Sequence, residues 1–371
     1  MAGLWISGFR YRRAGIGVAS FAVTALMVFM VAAVPVKADW TEPVMLVEPE
    51  LKYFDSDIAI LRGNDIYAVS WSYDSGSVLL FRSDDAGKSW SVRDVFGFGI
   101  FRGEPGMCAY SAGDSDEVLI ATCGALFKST DGGDSFSHLS NLPLSSGALW
   151  WRFMEIGTNA SWSKGPVDSD VYMIGSQAIG IPWEDGTYAI SFTKSSDGGL
   201  SWSEPVIVTS LDRMTKLPEM ICDGERLFVF YTCGETPCEY SDLYVRSSDD
   251  WGATWSEETV LIPSRGSQWV SAHSVQHLND DRALITVADL ILVGEQQPGL
   301  ERMGRYGYFN YADSTFEEVG NVSGDDWKVG GAFSGAIANN GELHLIWMKT
   351  TDAPFGNLWY TSTRDSGLSF H

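Results

Sequence analysis

With 371 residues, 45% of them hydrophobic and 13% aromatic, the chain has ample material for a large core. Its formal charge of −23 repels phosphate backbones and excludes nucleic acid as a natural partner. None of its five cysteines and five histidines stands at zinc-ligand spacing, so no metal or other cofactor is expected.

At the N-terminus, Arg10, Arg12 and Arg13 precede an uncharged apolar run from Ala14 to Val36. Val36-Lys37-Ala38 then offers small residues where a signal peptidase reads. The run is long for a signal core and long enough to span a bilayer. Residues 1–38 therefore read as a cleaved export signal or, alternatively, as a retained anchor. Both readings place residues 39–371 outside the cytoplasm, secreted or at the cell surface. Losing Arg10, Arg12, Arg13 and Lys37, with no acid among residues 1–38, leaves −27 on the remainder.

From residue 83 onward one short pattern recurs, in Ser83–Trp90, Ser129–Phe136, Ser195–Trp202, Ser248–Trp255 and Thr363–Phe370. Each copy has a hydroxyl, an Asp, a Gly, a second hydroxyl and a closing aromatic at fixed offsets. The Asp residues are Asp85, Asp131, Asp197, Asp250 and Asp365. A carboxylate that accepts N–H groups from its own turn, next to a Gly free to take positive φ, describes a tight connection between two strands. β-like runs flank the copies, such as Val78–Phe81 before one and Trp202–Val208 after another. Room remains between copies for two more strands. The unit is thus a four-stranded antiparallel blade with the turn between its third and fourth strands, and the fold is an all-β propeller in one domain, 39–371.

The copies begin at 83, 129, 195, 248 and 363, and the last interval is about twice the others. A worn copy is expected inside it at Tyr308–Phe316, which keeps Asp313 but lacks the Gly, and this makes six blades. Trp40–Val47 resembles the strand that follows a repeat turn, so it is expected to pair with 357–362 as the outer strand of the last blade and close the ring. Cys108 and Cys123 fall on successive predicted strands, 106–113 and 116–124. They are the expected disulfide of an exported chain.

The repeated pattern resembles the Asp-box, or BNR repeat, of the sialidase (neuraminidase) superfamily, over residues 39–371. That resemblance implies a ligand site at one end of the central axis, on loops feeding the innermost strands. It also implies three arginines on the substrate carboxylate, an Asp acid/base, and a Tyr nucleophile assisted by a Glu. Here Phe333 stands in the frame of the Tyr, and a phenyl ring cannot form a glycosyl-enzyme bond. Phe54–Ala59 carries Asp55 and Asp57 where the first arginine belongs. Phe228–Thr232 offers no second arginine, and Arg305 could match the third. Glu104, before Pro105, and Glu219, after Pro218, match the acid positions and are the candidate catalytic pair, though both could equally be strand-entry residues. Trp150, Trp151, Arg152, Arg265, Trp269 and His273 are candidate pore-lining residues, since Trp beside Arg suits a sugar ring. Most of the 15 Trp residues are equally suited to blade cores. The acid pairs Asp55/Asp57, Asp114/Asp116 and Asp168/Asp170 read as turns at least as well as calcium ligands.

True sialidase activity is not expected without the nucleophile and the arginines. The expectation is a glycan-directed protein, either a binding module or a divergent glycosidase. The alternative is a non-enzymatic envelope scaffold for protein partners.

Overall fold

The computed structural model describes residues 44–362 apart from 47–52, 62–64, 73–75, 98–104, 113–114, 123, 144–147, 159–169, 180–186, 211–213, 235–240, 265–267, 280, 294–298, 322–328, 339–341 and 350–356. The expectations for residues 1–38, for Glu104 and Arg265, for the turn at Asp365 and for Asp114 and Asp168 lie outside the described residues.

The described chain is all-β, in six four-stranded antiparallel sheets arranged as a six-bladed propeller. After β1 (Val44–Met45), blade one is β2 (Tyr53–Ile60), β3 (Ile66–Ser72), β4 (Ser77–Ser83) and β5 (Ser91–Gly97). Blade two is β6 (Gly106–Ala112), β7 (Ser115–Thr122), β8 (Ala125–Ser129) and β9 (Ser137–Asn141). Blade three is β10 (Ala148–Thr158), β11 (Val171–Ile179), β12 (Thr187–Ser195) and β13 (Val206–Ile207). Blade four is β14 (Met214–Cys222), β15 (Leu227–Gly234), β16 (Asp242–Ser248) and β17 (Thr259–Ile262). Blade five is β18 (Gln268–Asn279), β19 (Arg282–Val293), β20 (Gly299–Asn310) and β21 (Thr315–Asn321). Blade six is β22 (Val329–Ile337), β23 (Leu343–Lys349) and β24 (Asn357–Ser362), completed by β1. Val44 pairs with Tyr360 and Met45 with Trp359, so the ring closes as expected.

Hydrophobic cores lie between blades. The second strand of a blade has a neighbouring blade on each face, so its side chains are apolar on both sides. In β15, Leu227, Val229 and Tyr231 pack toward blade three, while Phe228 and Phe230 pack toward blade five. In β3, Ile66 and Ala68 pack toward blade six, and Tyr67, Val69 and Trp71 toward blade two.

The repeat turns sit between third and fourth strands and share one hydrogen-bond scheme. In the fourth, Ser248 Oγ donates to Asp250 Oδ1 at 2.8 Å and accepts Gly252 N at 2.8 Å. Asp250 Oδ1 accepts Thr254 N at 2.8 Å, and Oδ2 accepts the Thr254 hydroxyl at 2.6 Å. The turns at Asp85, Asp131 and Asp197 repeat these contacts. The charge-assisted bonds hold these carboxylates below their usual pKa range, at about 2 for Asp85, Asp131 and Asp197.

The turn glycine has a second role. Gly252 has φ 89°, and a Cβ there would overlap the Phe192 ring of blade three. Gly133 likewise meets Leu80 of blade one, at 2.6 Å. The closing aromatic engages the same preceding blade, as Trp255 does edge-on to Phe192 at 5.5 Å. Each of these turns is therefore a latch between consecutive blades.

The expected disulfide involves Cys123, which lies outside the described residues. Cys108 pairs in register with Leu119 and is buried in the core between blades two and three. Cys222 and Cys233 are buried as well.

Candidate functional site

Six first strands surround the axis: β2 adjoins β22 and β6, β10 adjoins β6 and β14, and β18 adjoins β14 and β22. Each repeat turn follows a third strand, and strand direction alternates within a blade. The first strands therefore start at the face opposite the repeat turns. Asp55 on β2, Trp150, Trp151 and Arg152 on β10, and Trp269 on β18 lie near those starting ends. Phe333 lies midway along β22, paired in register with Trp347.

Farther along the strands, a polar relay joins four blades. Asp57 on β2 accepts Met107 N of β6 at 2.9 Å through Oδ2. Its Oδ1 accepts its neighbour Ile58 N at 2.7 Å and, more loosely, the Ser334 hydroxyl of β22 at 3.5 Å. Ser334 Oγ meets Ser274 Oγ of β18 at 3.3 Å, and Gly335 N donates to the same Ser274 oxygen at 3.3 Å. A carboxylate thus ties blade one to blades two and six at the stretch where the sialidase resemblance puts an arginine.

Glu219 follows a break in β14. The register slips between Lys216 and Glu219, and Leu217 takes φ 51° ahead of Pro218. A branched side chain in that region costs about 1–3 kcal/mol, which the surrounding structure must offset. Glu219 is half-buried and pairs with Phe230. By strand alternation it shares a face with Ile221, which packs into the core between blades four and five.

His273 of β18 borders the same junction. Burial pushes its pKa down to about 3, against a smaller upward pull from the Phe230 backbone. It is a neutral ring at ordinary pH.

Arg305 falls within the third strand of blade five rather than before it, because β19 and β20 form a long hairpin. Its guanidinium lies between Asp289 and Glu318. Both nitrogens of one edge reach Asp289, with Nη2 to Oδ1 at 3.1 Å, and Nη1 reaches Glu318 at 2.7 Å. These partners are on β19 and β21, so the charge is held inside blade five. The lone Asp289 in the apolar run Ala283–Val293 was a readable sign of a buried cation partner. The relay through Ser274 and Ser334 left no comparable mark.

No known sequence family's profile matches this chain, and no curated relative matches it. Solved structures do. A Dyadobacter fermentans protein of unknown function superposes with TM-score 0.61 at 13% identity, over 87% of this chain and 98% of that one. An α-L-arabinanase of Penicillium chrysogenum gives 0.58 at 12%, over 88% and 98%. A Trypanosoma rangeli sialidase gives 0.57 at 12%, over 90% and 60%. The chain has the six-bladed fold shared by sialidases and arabinanases. At these identities the likeness extends to the fold alone.

Proposed function

We propose that this is an exported, glycan-directed propeller that binds neutral sugars at the axial face opposite the repeat turns and does not hydrolyse sialosides. The observation that carries the reading is Asp57. An anionic sugar needs paired guanidinium forks to replace its carboxylate's hydration. The blade-one strand instead presents a carboxylate, already engaged with Met107 N and the Ser334 hydroxyl. Like charge at that point disfavours an acidic ligand and leaves a neutral one unaffected. The fold kinship with an α-L-arabinanase and an α-L-arabinofuranosidase of nearly the same extent supports a neutral-sugar ligand.

A second reading, a divergent glycosidase, rests on the left-handed Leu217 immediately before Pro218-Glu219. Backbone strain maintained at one carboxylate on an axial strand suits a positioned acid or base, with Glu104 as its partner. Phe333 supplies no nucleophile in either reading.

The test is a glycan array combined with a panel of fluorogenic glycosides, run on the purified full-length chain. Neutral pentose or hexose oligosaccharides should be retained and the sialoside should remain intact. Sialoside cleavage that Glu104→Gln abolishes would overturn the reading. An array without any bound sugar would favour the protein-scaffold alternative.

A further inference from the structure

We propose that a pocket beside the first repeat turn is a second carbohydrate site, taking one neutral sugar unit on the outer edge of blade one. It deepens the glycan reading and rests on it, but at a place separate from the axis. The pocket has a volume of about 310 Å³ and is lined by Arg82, Asp84, Ser89, Trp90, Ser91 and Arg93. That is the lower end of the range for small-ligand sites and suits a single ring.

Strand register explains why these side chains converge. Arg82 of β4 pairs with Ser91 of β5, and Arg93 follows two residues later on the same face. The repeat turn, running from Ser83 to Trp90, supplies Asp84, Ser89 and Trp90 between them.

Both guanidinium groups are held in place before any ligand arrives. Arg82 donates Nη1 to Gly132 O of the blade-two turn at 3.3 Å and lies over the Tyr67 ring, 5.6 Å from its centre. Arg93 donates Nη1 to Asp134 O at 3.2 Å and pairs Nη2 with the Asp134 carboxylate at 2.8 Å. Trp90 is fixed by its indole N–H on Gly87 O at 3.1 Å and by edge packing on Tyr360 at 5.1 Å. Little side-chain freedom remains to be lost on binding. Among the described residues Gly132 O is the one acceptor within hydrogen-bond reach of Arg82, so its fork retains donors for a ligand.

The chemistry of the lining selects the ligand class. Arg82 and Arg93 are balanced by Asp84 in the wall and Asp134 behind it, so the pocket does not favour an anion. Fixed guanidinium donors, a carboxylate acceptor, an indole face, and the oxygens of Ser89 and Ser91, whose protons already go to Asp85 and Arg82 O, are the set that answers a sugar's hydroxyls and its C–H face.

The test uses the full-length chain labelled with 5-fluorotryptophan, its Trp90 resonance identified through Trp90→Phe. Cellotriose and arabinotriose are titrated in the millimolar range. At least one should shift the Trp90 resonance saturably. Arg93→Ala and the pocket-filling Ser91→Tyr should each weaken that effect at least tenfold while the protein melts as a folded species. A Trp90 resonance that neither sugar moves, or equal affinity in both variants, overturns the proposal. The resonances of Trp150, Trp151 and Trp269, identified in the same way, report the axial site in the same titration. Their silence beside a responding Trp90 would count against the axial reading alone, and the reverse against the pocket alone.

Discussion

Blades one to four and blade five meet the same requirement, joining a hairpin turn to the preceding blade, with different chemistry. In the first four, a Ser–Asp–Gly–hydroxyl scheme shapes the turn, and the glycine lets it close onto the neighbour. In blade five, Asp313 holds only Thr315, through N at 3.2 Å and the hydroxyl at 2.7 Å, and no glycine latch follows. Long-range contacts replace it. Arg226 of blade four donates to Tyr311 O at 3.0 Å, Tyr311 stacks on Phe228 at 5.4 Å, and His277 Nδ1 meets the Tyr311 hydroxyl at 2.9 Å. The buried Asp289–Arg305 pair, joined at the surface by Glu318, braces the same blade from within. A repeated local scheme holds the scaffold, and where the repeat is worn, unique side chains spread over several strands take its place.

That contrast is sharpest at Asp289. Asp289→Ala leaves the Arg305 charge buried against a partly exposed Glu318, and should destabilise the fold by about 3–5 kcal/mol, read by chemical denaturation. A cost below about 1 kcal/mol would show that blade five does not depend on the pair.

A smaller effect separates the turns themselves. Asp250→Ala removes bonds to Thr254 and Ser248 at once and should lower the melting temperature by a few degrees. Asp313→Ala loses contacts to Thr315 alone and should lower it by less. Equal shifts for the two variants would erase the distinction between latched and worn turns.

The gentlest probe is pH. His273 and His344 are buried, and burial lowers their pKa values to about 3 and about 4, with Glu342 pulling His344 back upward. Both folded values lie below the unfolded value near 6.5, so the unfolded chain gains protons first as pH falls. Their contribution is complete above pH 6.5 and is lost toward pH 4 and 3, by about 1.4 kcal/mol per pH unit for each ring. The turn carboxylates, with folded values near 2, keep their contribution above the unfolded value near 3.8 and lose it as pH falls toward 2. Melting temperature should therefore decline from pH 6.5 to 4.5, before the turns respond, and His344→Gln should flatten part of that decline. A flat wild-type profile in that window would contradict the assignment.

The turns were legible because each is written in eight consecutive residues whose geometry is local. Blade number and ring closure followed from spacing and from the likeness of Trp40–Val47 to a post-turn strand. The interior was harder to read for a physical reason. Ser334 and Asp57 are far apart in the chain and meet because blade six closes on blade one. Arg305 was read as a possible ligand-binding arginine, and only the register of β19 with β20 brings Asp289 to it.

The central claim is that recognition at the axial face belongs to the unrepeated first strands, and that the blade-four turn at Asp250 serves stability. Calorimetric titration of Asp250→Ala and Glu219→Gln side by side, with a neutral oligosaccharide retained on the array, tests it most directly. Asp250→Ala should bind as the wild type does although it melts lower, and Glu219→Gln should melt near the wild type and bind at least tenfold more weakly, about 1.4 kcal/mol. Lost binding in a fully stable Asp250→Ala protein, or unchanged binding in Glu219→Gln, would contradict it.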